Sequence, residues 1–146
     1  MMNYFFNSNN QTEKEMVGQI IVVEGNIGCG KTTFLNSMKH YYETVLHQEC
    51  RILYEPINTD FLNMYIRESK EYAFAFQVII ARDRKKLLYE ALQEIQNKDI
   101  TILIDRGLQG DRIFANVQKK LGYFTEEEYE TYCSMTEDSY FLSPPC

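Results

Sequence analysis

Short apolar runs punctuate a chain that otherwise repeats its hydrophobic residues at helical intervals. Residues 19–24 (QIIVVE) are β-branched at consecutive positions, the pattern of a strand buried on both faces. A glycine-rich segment from Gly25 to Gly30 follows directly. A helix is predicted from Lys31, with Phe34, Leu35, Met38, Tyr42 and Leu46 at helical spacings. Residues 51–54 form a second short strand, stopped at Glu55-Pro56 because proline cannot continue a ladder. A short helix around residues 61–67 precedes residues 71–98, which hold helical period without Gly or Pro and would span roughly 40 Å. Residues 99–105 (DITILID) are the third strand. Helices follow from about 110 to 120 and from 125 to about 140, the second opened by the capping pattern Thr125-Glu-Glu-Glu128.

Strands alternating with helices predict an α/β fold, a parallel sheet with helices on both faces. Residues 1–17, rich in Asn, Gln, Glu and Lys without period, read as a disordered tail, and residues 18–146 as a single domain. Three strands make a small sheet, so an apolar strand suited to its centre is expected to be left on an edge unless something covers it.

Composition narrows the function classes. With 45% hydrophobic and 25% charged residues the chain has the makeup of a soluble globular domain. Its 15 Lys and Arg against 21 Asp and Glu give −6, which argues against gripping a nucleic-acid polymer or an anionic membrane. No run approaches the roughly 18 apolar residues of a spanning helix, and no secretory pattern opens the chain. Cys29, Cys50, Cys133 and Cys146 are scattered, so reduced thiols in a cytoplasmic compartment are expected. His40 and His47 have no further ligand at a metal-binding spacing.

Gly25-Asn-Ile-Gly28-Cys-Gly30-Lys31-Thr32 fits G-x-x-x-x-G-K-[ST] between a predicted strand and a predicted helix, the context a phosphate-binding loop requires. Glycines let successive backbone N–H groups converge on phosphate oxygens, and the helix N-terminus adds partial positive charge. Lys31 should reach the β and γ phosphates of a nucleoside triphosphate. The Thr32 hydroxyl would ligate Mg²⁺, with Asp105 at a strand end as the assisting acid. Glu55, another strand-end carboxylate, could accept the proton of an attacking hydroxyl. Arg106 could hold that carboxylate or neutralise charge on the transferred group.

Gln77 lies within an apolar helical stretch, beside Phe74, Phe76, Val78, Ile79 and Ile80, where an amide needs a partner. Arg84, seven residues on, falls within about 20° of the same helix face. An amide offers donor and acceptor side by side and can read a base edge.

Glu24-Gly-Asn-Ile-Gly-Cys-Gly-Lys-Thr-Thr33, Glu55-Pro56, Phe74-Ala-Phe-Gln77 and Asp105-Arg106-Gly107, in this order, resemble the motifs of the deoxynucleoside kinase family. The resemblance runs from about Ile20 to the end of the chain. It implies a P-loop fold transferring the γ-phosphoryl of ATP, with Mg²⁺, to the 5′-hydroxyl of a deoxynucleoside. Gly25, Asn26, Ile27, Gly28, Cys29, Gly30, Lys31, Thr32 and Thr33 would form the phosphate cradle. Glu55 would be the general base, Asp105 would assist magnesium or accept the proton, and Arg106 would orient base and 5′ oxygen. Gln77, with Phe76 beside it, would meet the nucleobase, and Tyr65 the sugar 3′-hydroxyl. Arg84 and Asp111 match a charged pair found in the purine and deoxycytidine branches, where thymine would need room for its methyl. A homodimer through the long helix is also implied.

The resemblance departs at Gly107, where the family has serine, and at Phe61, where an aromatic is displaced with Asp60 nearer to Glu55-Pro56. Family members continue into a further strand, an arginine-rich lid and a last strand. This chain stops at Pro144-Pro145-Cys146, about where that strand would begin, so the sequence predicts an incomplete sheet without the lid. A nucleotide-binding or accessory protein of the same fold is the alternative to an active kinase. A thymidylate-type kinase fits less well, since it lacks the Asn26-Ile27 signature and the Gln77 helix pattern.

Overall fold

A computed structural model describes residues 16–26 and 28–137. The expected N-terminal tail, Ile27 and the far end of the last predicted helix therefore lie at least partly outside the described residues. The elements run β1 (Gln19–Val23), α1 (Lys31–Thr44), β2 (Glu49–Leu53), α2 (Thr59–Arg67), α3 (Ser69–Ile95), β3 (Ile100–Asp105), α4 (Leu108–Lys120) and α5 (Glu126–Thr136). They fall into two compact units: the described residues up to Glu55 with Lys86–Gly107, and Pro56–Lys85 with the described residues from Leu108 onward.

The first unit is a parallel three-stranded sheet in the order β1-β3-β2. The apolar run of β3 takes the centre, and every one of its residues is buried. β1 lies on an edge, as expected of one apolar run, yet Ile21, Val22 and Val23 are buried. Leu35 of α1 packs with Ile21, Val23, Cys50 and Leu103, and Met38, Tyr42 and Ile52 lean on this core. Strand alternation gives the physical reason, because these residues share one face of the sheet. Thr101, buried in the central strand, accepts from Gln19 at 2.9 Å and donates to Gln48 at 3.1 Å, so its hydroxyl is satisfied from both neighbouring sides. Burial of Cys50 raises its thiol pKa, with the Glu43 carboxylate adding to the effect.

Element ends moved where tertiary partners overrule local pattern. β2 begins at Glu49, not Arg51, because Glu49 registers with Ile100 and its carboxylate takes Lys98 at 2.6 Å. α3 stops at Ile95, whose carbonyl accepts the N–H groups of Val17 and Gly18 at 3.0 and 2.9 Å. α2 starts at Thr59 because the Asn58 side chain caps it, accepting from the Phe61 N–H at 3.1 Å. α4 starts at Leu108 rather than 110.

The second unit is helical. Ala73, Ala81, Ala115, Phe124, Tyr132 and Cys133 form its core, with Tyr65, Phe74, Tyr123 and Tyr129 against it. α5 opens with the capping box read from the sequence: Thr125 accepts from the Glu128 N–H at 3.1 Å and Glu128 accepts from the Thr125 N–H at 2.9 Å. Cys29 and Cys50 are free thiols.

Tyr132 is buried, and its hydroxyl makes no hydrogen bond among the described residues. Burial first, then the Asp111 carboxylate, push its phenol well above the ordinary value. An unfolded tyrosine ionises near pH 10, so this group's contribution to stability is full below that pH and is lost as pH rises toward the folded value. Alkaline unfolding of Tyr132→Phe is therefore expected at higher pH than in the parent, with stability near neutrality equal to the parent's or slightly above it, because the hydroxyl removed has no partner among the described residues. Circular dichroism across a pH series checks this.

Candidate active site

The carboxyl ends of the three parallel strands of the first unit deliver the candidate groups together, the place where open α/β sheets hold ligands. Val23 pairs with Asp105 and Leu53 with Ile104, so Glu24 and the glycine loop, Glu55, and Asp105-Arg106 all leave the sheet at one rim. Gly28 (φ 78°) and Gly30 (φ 84°) adopt left-handed backbone that side-chain-bearing residues resist, which lets the loop turn tightly into α1. No side chain caps α1, and no acid occupies its first turn. Its leading N–H groups are thus left to a ligand, with the positive end of the helix behind them. A cavity of about 270 Å³ opens here, lined by Val23, Glu24, Cys29, Gly30, Lys31 and Phe34. Lys31 is the first residue of α1, and Thr32 and Thr33 follow it, exposed.

Lys31 donates to Asp105, forming an ion pair that is largely withdrawn from solvent. The sequence had placed both near phosphate without pairing them. Arg106 takes a positive φ of 68°, a costly conformation for a residue with a side chain, worth of order 1 kcal/mol or more. The turn keeps its N–H bonded to the Val23 carbonyl at 2.9 Å and sends its guanidinium back to the Gly25 carbonyl at 3.1 Å. The same guanidinium lies 3.7 Å from the Glu55 carboxylate, which is partly open to solvent. One arginine therefore ties the loop to the candidate base.

Glu24 immediately precedes the glycine loop. Its carboxylate accepts the Gly107 N–H at 2.7 Å and so fixes the turn after Arg106 to the start of the loop. The family's serine is missing at Gly107 for a steric reason: a Cβ there would meet Val22 Cγ1 at 2.9 Å and Glu24 Oε1 at 3.4 Å. Gly107→Ser is expected to destabilise the fold by about 1–3 kcal/mol, as overpacking does. Val22→Ala should recover part of that loss, with both read as shifts of the thermal midpoint.

Within the second unit, α3 carries Gln77 and Arg84 on its buried stripe, as their spacing predicted. Gln77 is 5% exposed, and its amide makes no hydrogen bond among the described residues. Arg84 binds Asp111 of α4 through two nitrogens, at 2.5 and 3.0 Å, with side-chain exposures of 1% and 3%. Tyr65 stacks on Phe76 with ring centroids 4.8 Å apart and planes 4° from parallel. The displaced Phe61 meets Tyr72 edge-on at 6.2 Å. Gln118 donates to the Tyr65 hydroxyl at 2.8 Å, a contact no sequence signal announced.

A glycine loop joining a strand to a helix, with its lysine opening that helix on a parallel sheet, defines a P-loop nucleotide-binding fold. Comparison narrows the class. The family pattern described as deoxynucleoside kinase matches residues 21–143. The chain is 25% identical over 141 residues to a deoxyadenosine kinase of Dictyostelium discoideum, covering 93% of this chain and 52% of that protein. It is 28% identical over 114 residues to a deoxyguanosine kinase of Lactobacillus acidophilus, covering 77% and 45%. The structure of a deoxyadenosine kinase from M. mycoides superposes with a TM-score of 0.65 at 24% identity, over 83% of this chain and 58% of that one. The chain belongs to the deoxynucleoside kinase family, and it spans about half the length of the curated relatives it matches. None of its described helices is long and apolar enough to cross a membrane.

Proposed function

We propose that the protein transfers the γ-phosphoryl of ATP to the 5′-hydroxyl of a deoxynucleoside in nucleotide salvage. The observation that carries this reading lies within the first unit. Arg106 binds the phosphate loop through Gly25 and faces Glu55, so the candidate base is held to the same framework as the cradle. An alcohol is a poor nucleophile, and Glu55 would take its proton as the new O–P bond forms. Arg106 would then hold both that carboxylate and the growing charge on the phosphoryl oxygens. ATP binding exchanges one partner of Lys31, with phosphate oxygens replacing the Asp105 carboxylate. The exposed Thr32 hydroxyl and the Asp105 carboxylate are hard oxygen donors of the kind magnesium takes. Bound there, the ion would neutralise charge on the phosphates.

Gln77 is the candidate reader of the base edge, a buried amide whose hydrogen-bonding capacity is unspent on the described residues. The two-point Arg84–Asp111 pair supports a purine or deoxycytidine preference over thymidine, since a buried ion pair tolerates polar base substituents better than a methyl group. The reading further includes a cytoplasmic location, no nucleic-acid polymer as partner, and a homodimer. The resemblance puts that dimer along the long helix, yet α3 exposes only Tyr89 among large apolar side chains. Ile113 and Val117 of α4, with Leu121 just past its end, are exposed along one side and favour that helix as part of the contact.

Lys31→Met is expected to lower phosphoryl transfer about 10²–10³-fold and to weaken ATP binding, as loss of one charged phosphate contact does. Calorimetric titration with ATP and magnesium, beside a turnover assay, checks it. The activity itself is tested with γ-labelled ATP. Label should appear on deoxyguanosine, deoxyadenosine or deoxycytidine, more slowly on thymidine, and not on deoxynucleoside monophosphates. Thymidine as the best acceptor would overturn the base preference. Label on monophosphates would make the protein a nucleotide kinase, and bound ATP with no labelled product would leave it a nucleotide-binding protein.

A further inference from the structure

We propose that Gln118 is a positioning residue that fixes the direction in which the Tyr65 hydroxyl gives its proton, and thereby sets selection for a sugar bearing a 3′-oxygen. The inference rests on the reading of Tyr65 as the sugar contact and deepens it.

The Gln118 amide nitrogen donates to the Tyr65 oxygen at 2.8 Å. Amide N–H groups only donate, so the phenol cannot return its proton to that nitrogen and must direct it elsewhere. The rest of Tyr65 is braced. Its ring lies parallel on Phe76, and its carbonyl accepts the Ser69 hydroxyl at 2.9 Å. Ring plane and oxygen position are both held, and the hydroxyl becomes a one-way donor aimed at an acceptor. A neutral sugar hydroxyl oxygen is such an acceptor.

A second observation concerns the other end of the amide. Gln118 is buried in α4, and its Oε1 has no hydrogen-bond partner among the described residues. Burying an unpaired carbonyl is unfavourable, and an apolar side chain of equal length would fill the same space without that penalty. Packing alone therefore does not account for glutamine at this position. Its N–H groups do.

The test uses the full chain and reads equilibrium affinity by calorimetry, so it does not depend on turnover. The probes are deoxyguanosine, deoxyadenosine and deoxycytidine, each beside its 2′,3′-dideoxy form. For whichever base binds, the parent should favour the 3′-hydroxyl form. Gln118→Met should shrink that ratio about tenfold, the scale of one well-directed hydrogen bond. Gln118→Glu should shrink it at least as far, because a carboxylate draws the Tyr65 proton onto itself. Tyr65→Phe should lose the ratio too, and adding Gln118→Met to it should change nothing more.

Retention of the ratio in Gln118→Glu or Gln118→Met, with loss in Tyr65→Phe, would overturn the role of Gln118 alone. Equal weakening of both nucleoside forms, or loss of the fold in both Gln118 variants, would make the residue structural and overturn it as well. An unchanged ratio in Tyr65→Phe, or no binding of any nucleoside, would instead remove the sugar-contact reading beneath it.

Discussion

Glu55→Gln is expected to lower turnover about 10²–10⁴-fold, the usual worth of a positioned general base. ATP affinity should stay as it is. The substitution keeps the size of the side chain and an oxygen toward Arg106, which lies 3.7 Å from the carboxylate, while removing the group that accepts a proton. The expected pattern is a fall in kcat with little change in KM for either substrate, since the interaction lost is one made in the transition state. A raised KM with kcat unchanged would instead make Glu55 a binding residue. Steady-state kinetics with both substrates varied separates the two.

The second large effect concerns stability. Arg84 and Asp111 are almost wholly buried and joined at two points. Removing one partner of such a pair leaves a charge desolvated, so Asp111→Ala is expected to cost about 3–5 kcal/mol. Against a typical domain stability of about 5–15 kcal/mol, that is a large share. Urea unfolding followed by far-ultraviolet circular dichroism should register it as an earlier midpoint. Arg84→Met combined with Asp111→Leu should recover much of the loss, because apolar residues carry no charge to desolvate. That double variant also bears on base choice. If the ion pair is what disfavours a methyl group, the variant accepts thymidine relatively better than the parent while remaining folded.

The residues around these two effects differ in how far the sequence exposed them. The loop from Gly25 to Thr32 was legible because its glycines and lysine are fixed by local geometry, and its flanks carried the strand and helix patterns it needs. Gln77 and Arg84 could be placed on one helix face from their spacing alone, and both are buried. The capping box at Thr125 is local and appears as read. Contacts between residues distant in the chain were not legible. The Lys31–Asp105 pair, the Glu24 carboxylate on the Gly107 N–H and the Gln118 amide on Tyr65 each join residues more than 50 positions apart. No periodicity marks such pairs. Arg106 shows the same limit in another way: its left-handed backbone is imposed by tertiary contacts against the residue's own preference. The sequence did carry a hint at Gly107, in the departure from serine, but the cause lies in Val22 across the sheet.

The roles assigned in phosphoryl transfer all depend on phosphate being held at the glycine loop. Amide hydrogen exchange, with and without a non-hydrolysable ATP analogue and magnesium, measures that directly. Slowed exchange at the N–H groups of residues 28–33, abolished in Lys31→Met, is the predicted result. Exchange at those amides that is unchanged while the analogue is bound would place the triphosphate elsewhere and contradict the account.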